Sequence, residues 1–366
     1  MKIAYVTLHW PRTISSSIGK KIIRQTKEWK SMGHEVHFFS HLHHIEDNSD
    51  LVEGNYFFYD KDENIFSREF NRITAVNKMI GAISDYNPDL IYLRWGMYIF
   101  SAKNLLNIAP TVVEINTNDK KEHVLLGLGL NIYNRTTRHV FLKQANGMLF
   151  TSNELVTDPA FNNYVKTYQV VSNGIDLESM PFYEAPNNQK PHLVFLGTPG
   201  MAWHGLDKLL EFGLAYPDIQ IDIVGATSKE VSGSLPNNVL FHGYLQGEQF
   251  EILLANADAA IGSISLHLKE MEEASPLKIR DCAGRGIPCI LPYQDTDLSG
   301  LNCKEILQIP NTPTNLVTHG QQVHDFIYNM RGKRLPRLIT KNKIDIGPKE
   351  KKRIAFFEVV LKRTNH

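Results

Sequence analysis

The chain reads as two successive α/β units, each a parallel sheet with helices on both faces. Three observations carry that reading. Short β-branched runs alternate with stretches of helical spacing from residue 3 to residue 171. A segment with three prolines and no periodicity, PFYEAPNNQKP, interrupts the alternation at 181–191. The alternation then restarts at residue 192 and runs to residue 291. A length of 366 residues suits two domains of ~100–200 residues each.

In the first unit, residues 3–8 form a β-branched run that predicts a buried strand. A small polar loop, Ser15 to Ser17 and Gly19, follows it. Ile18, Ile22, Ile23, Trp29 and Met32 then recur at helical spacing, and Gly33 ends that helix. Residues 35–40 are the next strand, and His41, His43 and His44 read as a solvated loop beyond it. The spacing predicts a helix over 67–86, strands at 89–93 and 111–115, one helix over 123–145, and strands at 148–151 and 168–171. In the second unit it predicts strands at 192–196, 220–224, 239–241, 259–263 and 288–291. Helices fall at 206–215, at 248–255 and from residue 277.

Hydrophobic residues make up 42% of the chain, enough for a core in each unit. Basic and acidic residues both number 39, and zero net charge argues against a whole-surface nucleic-acid binder. The zero is a cancellation. Residues 181–330 carry 8 basic and 17 acidic side chains, and residues 331–366 carry 12 and 3. Three cysteines, Cys282, Cys289 and Cys303, are an odd number with no C-x-x-C pair, which suits a reducing cytoplasm and offers no zinc site. Cys282 and Cys289 read as core residues. No signal peptide or membrane-spanning stretch is expected; the most lipid-like window, residues 124–130, is too short to span.

In open α/β sheets ligands bind beyond the carboxyl ends of the strands, so the loops after strands are the candidates. The first, Pro11 to Gly19, offers small residues before a helix and suits a phosphate or hydroxyl-rich ligand; taken alone, it is better explained by a plain serine cap. It lacks G-x-G-x-x-G, which counts against a dinucleotide. The second, Gly197 to Gly205, holds three glycines, a proline and His204; it is not a P-loop. The third is Phe241-His-Gly-Tyr244. The fourth, EEASPLKIRD from Glu272 to Asp281, is the strongest. Ser275 and Pro276 mark a helix start, Lys278 lies in its first turn, and Glu273 and Asp281 flank it. Carboxylates that accept from vicinal hydroxyls are what a sugar or ribose needs.

These residues resemble the retaining glycosyltransferases of the GT-B fold, in particular their large family 4 (glycosyl transferases group 1). The resemblance covers nearly the whole chain. Gly33-His-Glu-Val36 matches the G-H-E-V after the first helix. Asn173-Gly-Ile-Asp176 matches N-G-[VI]-D at the entry to the second domain. Gly197-Thr198 and His204-Gly205 stand where the family has a G-R-like loop and K-G. Glu273 and Asp281 match E-x7-E with Asp in second place, and Ala283-Gly-Arg-Gly-Ile-Pro-Cys-Ile290 matches its A-x-G-x-P-V-I tail.

The resemblance implies two Rossmann-like domains facing an interdomain cleft. It implies an acceptor-side domain over 1–180, a linker over 181–191 and a donor domain over 192–345. The segment 346–366 is then a helix crossing back to the first domain. The implied activity is metal-independent transfer of a hexosyl group, with retention, from a nucleotide-diphosphate sugar to an acceptor hydroxyl in bacterial surface polysaccharide or glycoconjugate synthesis. No cofactor is implied beyond the co-substrate. Glu273, Lys278 and His204 would be catalytic. Gly197, Thr198, Gly205, Tyr244, Ala274, Ser275, Pro276, Leu277 and Asp281 would bind the donor. Ser16, Ser17, Gly19 and Asn116 would line the acceptor side.

Thr198 replaces the family's Arg, His204 its Lys, and Asn116 a familiar His. Lys278 is therefore expected to supply the charge for the diphosphate, with His204 donating when protonated. The substitutions keep open a non-catalytic subunit, or a GT-B-fold epimerase or hydrolase. Asp295-Thr-Asp297 is a D-x-D sequence, read as a decoy for metal. A glycan or lipid-linked acceptor is expected. An inner-face membrane location is also expected, through Lys20, Lys21, Arg24, Lys27 and Lys30 together with the basic tail.

Overall fold

The computed structural model describes residues 1–8, 14, 16–44, 50–60 and 64–364. Pro11 to Thr13 and Ser15 of the first candidate loop lie outside the described residues. The chain forms two compact units. One joins Met1–Ser172 to Ile346–His366, and the other is Asn173–Asp345.

The first unit runs β1 (Lys2–Leu8), α1 (Ser17–Ser31), β2 (Glu35–His43), β3 (Asn55–Tyr59), α2 (Ile65–Tyr86), β4 (Leu90–Arg94), β5 (Thr111–Ile115), α3 (Asp119–Leu126), α4 (Leu128–Thr137), α5 (His139–Gln144), β6 (Gly147–Phe150), α6 (Asn153–Thr157) and β7 (Tyr168–Val170). Its sheet has the order β3-β2-β1-β4-β5-β6-β7, parallel throughout. The strand order reverses between β1 and β4, which puts the crevice beyond their carboxyl ends.

The second unit holds β8 (His192–Leu196), α7 (Leu206–Ala215), β9 (Gln220–Val224), β10 (Val239–Gly243), α8 (Gly247–Ala255), β11 (Ala259–Ile261), β12 (Glu273–Ala274), α9 (Leu277–Gly284), β13 (Cys289–Leu291), β14 (Gln294–Asp295), β15 (Ile306–Gln308), α10 (Asn315–Thr318), α11 (Gly320–Met330) and α12 (Arg337–Ile344). Its main sheet, β10-β9-β8-β11-β13-β15, is also parallel and reverses between β8 and β11. The final helix, α13 (Ile346–Thr364), belongs to the first unit.

Aromatic packing shows what α13 does there. Trp29 of α1 stacks on Tyr5, centroids 5.7 Å apart, and meets Phe357 of α13 at 5.4 Å. Ile354, Phe356, Phe357 and Val360 are all buried in the core around β1 and β4. At about 1.5–3 kcal/mol for each buried side chain, these four contribute on the scale of a domain's whole stability, about 5–15 kcal/mol. The first unit therefore depends on α13.

Four readings of the sequence need correction. The helix expected over 123–145 is broken into α3, α4 and α5. Gly127 stands between the first two at φ 122°, a conformation closed to other residues, and the helical ladder ends there. β2 extends to His43 because it pairs with β3, the aromatic run NYFFY, which is not among the expected strands; His41 is buried in the strand and stacks on Tyr59 at 4.9 Å. Residues 181–191 are not a free linker. Phe182 lies against the backbone of Gly286, the Tyr183 hydroxyl bonds Glu251, and Asn188 Nδ2 donates to Asp258 at 2.8 Å, so the segment belongs to the second unit.

The basic end of the chain is not one tail. Arg334 and Arg337 lie in the second unit and donate to the carbonyls of Ala255, Ala257, Met180 and Gly284. Lys21 and Arg353 are buried and paired, so neither is offered to a membrane.

Candidate functional site

The strand exits of the second unit are built for close approach. Gly197, Gly225 and Gly243 end β8, β9 and β10. Gly197 N donates to Val224 O at 2.7 Å, and Gly225 N donates to Gly243 O at 2.6 Å. Gly225 sits at φ 85°, and a Cβ there would stand 2.5 Å from Gly197 O. The loop after β8 then turns back at the switch point. Its short turn Ala202–His204 is tied to the loop after β11 by Ile264 N to His204 O and Ser265 N to Trp203 O, both 3.1 Å.

Lys278 joins this loop to α9. Its Nζ donates to Gly197 O and to Thr198 Oγ1, the latter at 2.5 Å. Burial pushes the ammonium down to about 8, leaving it mainly charged at neutral pH. His204 is buried, and its Nδ1 accepts from Thr198 N at 3.3 Å. Burial, with the charges of Lys278 and Lys269, holds its pKa at about 3. His204 is therefore neutral, which corrects the expectation of a protonated donor. With Nδ1 accepting, its proton lies on Nε2, and that N–H is what it can offer.

The N-terminus of α9 carries no side-chain cap. Pro276 is the cap residue, at φ −72° and ψ 129°. The first-turn N–H groups are thereby left for a ligand, with the helix's partial positive charge behind them.

The turn leading into α9 is held by Arg280, which is fully buried. It donates to Asn173 O and Ser275 Oγ, and it pairs with Asp295 at 2.6 Å and Asp297 at 2.7 Å. Ser275 Oγ also accepts from Asn173 N at 2.7 Å. Both carboxylates of the D-x-D sequence are thus engaged by an arginine.

Glu273 and Ala274 form β12, paired with β14 in the register Glu273 to Gln294. Asp281, one turn into α9, pairs with Arg285 at 2.7 Å, and Arg285 also holds Glu251 at 2.8 Å. Tyr244 is 67% exposed beside the β10 exit. The structure therefore gathers Gly197, Thr198, His204, Gly205 and Lys278 around the β8 exit. Ser275, Pro276 and Leu277 stand at the helix start.

In the first unit, Ser16 caps α1 by accepting from Gly19 N at 3.0 Å; Ser17 is exposed and Gly19 buried. Asn116, just beyond β5, is tied into a buried ionic cluster. Glu114 pairs with Lys21 at 2.6 Å, Arg94 at 2.9 Å and Arg353 at 3.5 Å. Arg94 also donates to Asn116 Oδ1 at 3.1 Å. Burial alone would raise the Glu114 carboxyl, but the three cations hold it well below the usual range. Burial brings Lys21 down to about 8. Neither Glu114 nor Arg94 stood out as a site residue. The available signal was the carboxylate itself: a Glu within the buried run TVVEI demands cationic partners.

Sheets of this order, in two units of this kind, match known structures over nearly their full length. Sucrose-phosphate synthase from Thermosynechococcus elongatus superposes with a TM-score of 0.71 at 10% identity, over 98% of this chain and 100% of that one. A glycosyltransferase from Rickettsia africae gives 0.62 at 15% identity, over 98% of each chain. The fold is GT-B. Anabaena HepE, in a structure holding UDP and glucose, gives a TM-score of 0.62 at 13% identity over 97% of this chain and 99% of that one. No family profile and no curated protein matches the sequence of this GT-B chain.

Proposed function

We propose that this chain is a glycosyltransferase that moves a hexosyl group from a nucleotide-diphosphate sugar to an acceptor hydroxyl, with retention of configuration. The observation that carries the reading is the Lys278 ammonium, held against Gly197 and Thr198 beside the uncapped N-terminus of α9. In this reading it meets the negative charge that develops as a diphosphate departs. The likeness to a structure that holds UDP and glucose supports a uridine diphosphate sugar.

In this reading Lys278 and the first-turn N–H groups of α9 take the departing β-phosphate, and the neutral His204 adds its Nε2–H. Glu273 and the backbone of residues 274–277 hold the transferred sugar. Asp281, oriented by Arg285, accepts from the ribose hydroxyls. The departing phosphate takes the acceptor proton, so no protein nucleophile is assigned. The reading needs no metal, and the D-x-D carboxylates are engaged by Arg280. The resemblance implies a glycan or lipid-linked hydroxyl as acceptor, with Ser16, Ser17, Gly19 and Asn116 as the residues that would line its side.

A thermal-shift screen against nucleotide sugars and free nucleoside diphosphates tests the first step, because a ligand of the folded state alone raises the midpoint. Stabilisation by UDP or a UDP-sugar is expected, followed by nucleotide release that depends on an added glycan acceptor. No stabilisation by any nucleoside diphosphate sinks the reading. Release without an acceptor favours a hydrolase or epimerase, and binding without turnover favours a non-catalytic subunit.

A further inference from the structure

Residues 124–130 are exposed without a break, and five of the seven are Val or Leu. They span the Gly127 joint between α3 and α4. No charged residue occurs from 124 to 132, and Ile132 is also exposed. Phe66 and Phe70 at the start of α2, with Phe100, add to this surface at 84%, 70% and 65% exposure. Tyr133 connects the two groups. Its hydroxyl donates to Tyr98 O at 3.0 Å, and Glu69 and Arg72 of α2 act on the same hydroxyl. At roughly 200 Å² per aromatic side chain, the three phenylalanines alone leave about 400 Å² of apolar surface in water. With the aliphatic residues added, this exceeds what a soluble monomer commonly shows.

The charge around the patch says what covers it. α3 is charged in its first turn and apolar in its last; α4 is apolar in its first turns and basic near its end. The pair is thus apolar at its joint and polar at its outer ends. Asp119 is engaged by the buried Arg138, and Lys121 pairs with Asp158 at 3.1 Å. Lys120 and Arg135, at the outer ends of the pair, form no ion pair among the described residues. Apolar ends of three to five residues rise roughly 5–8 Å, the depth to which interfacial helices enter a bilayer. A second copy docked on this face would add its own Lys120 and Arg135 to the same interface, gathering like charge there. Anionic headgroups would neutralise them.

We propose that the α3–α4 joint is a membrane-docking wedge: residues 124–132 enter the acyl boundary of an anionic bilayer while Lys120 and Arg135 engage the headgroups. The expected membrane face is thereby moved from α1 and the basic tail to this joint. Co-sedimentation tests it, using vesicles of phosphatidylcholine alone and of equal parts phosphatidylcholine and phosphatidylglycerol. The full chain is expected to pellet with the mixed vesicles and more weakly with phosphatidylcholine.

The double variant Leu126→Asp, Leu128→Asp is expected to lose at least about tenfold in partitioning, as two buried leucines imply. Lys120→Gln with Arg135→Gln is expected to bind less and to lose salt dependence. Leu126, Leu128 and Arg135 are exposed and Lys120 is half-buried, and both variants are expected to keep the parent's thermal midpoint. The proposal is overturned if the parent stays in the supernatant at low salt, or if the aspartate variant pellets equally. It is also overturned if light scattering shows a parent dimer that the aspartates convert to a monomer while vesicles capture neither.

Discussion

Lys278 gives the most direct test of the donor site, because its protonation can be set from outside. Burial brings its pKa to about 8. The ammonium is then about 90% populated at pH 7 and about 10% at pH 9. A bound diphosphate favours the charged form and raises that pKa. Binding must therefore take up a proton above pH 8, and UDP affinity is expected to fall about tenfold from pH 7 to pH 9, or about 1.4 kcal/mol.

The diphosphate does not titrate in this window, since its last ionisation lies near pH 6. Isothermal titration in two buffers of different ionisation enthalpy reads both the affinity and the proton uptake. Lys278→Ala is expected to bind more weakly by about 1.5–3 kcal/mol at pH 7, the scale of a hydrogen bond to a charged group, and to show no pH slope. Lys278→Arg keeps the charge and is expected to be flat to pH 9. A parent affinity that does not change between pH 7 and 9, or a slope that survives in Lys278→Ala, refutes the reasoning.

Other predictions concern stability and positioning. Glu114→Gln leaves Lys21, Arg94 and Arg353 facing one another without their carboxylate, and a loss of about 3–5 kcal/mol is expected in urea unfolding followed at Trp29. In the parent, the depressed Glu114 carboxyl contributes stability above its ordinary value of 4.5, and that contribution is lost as the pH falls below it. His204 acts earlier. Its unfolded form protonates near 6.5 and its folded form near 3, so stability of the second unit is expected to fall by about 1.4 kcal/mol per pH unit across that window; His204→Gln should remove this slope. Gly205→Ala places a Cβ 2.6 Å from Ser265 Oγ at φ 70° and should lower the melting temperature and weaken UDP binding together. A loss of roughly 1–3 kcal/mol fits that mechanism, and an unchanged midpoint would count against it.

The two parallel sheets were legible because their buried strands are β-branched runs at regular intervals, and this periodicity survives without any knowledge of partners. The break at Gly127 was less so. Its neighbours Leu126 and Leu128 continue the apolar count of a helix, and only the backbone conformation separates them. The second unit's site was visible as a string of strand-end loops, since Gly197, His204 and Lys278 each lie where open sheets bind ligands. Their states were not visible. That His204 is neutral and Lys278 is poised near pH 8 follows from burial, which three-dimensional packing sets. The role of Arg280 was hidden for a related reason. Its partners Asn173, Ser275, Asp295 and Asp297 are scattered over more than a hundred residues, and nothing in the local sequence of α9 distinguishes it from a solvated arginine.

The placement of α13 has a consequence for synthesis. The sheet of the first unit is made early, yet Phe357 and Arg353, which complete its core and answer Glu114, are among the later residues to leave the ribosome. The second unit, residues 173–345, is made in between and is contiguous. It can close as soon as its own residues emerge, whereas the first must wait with an open apolar surface and an incompletely neutralised carboxylate. The order of completion is therefore reversed relative to the order of translation. A chain stalled before residue 346 should present a protease-resistant second unit and a cleavable first one, with chaperones drawn to the part made first.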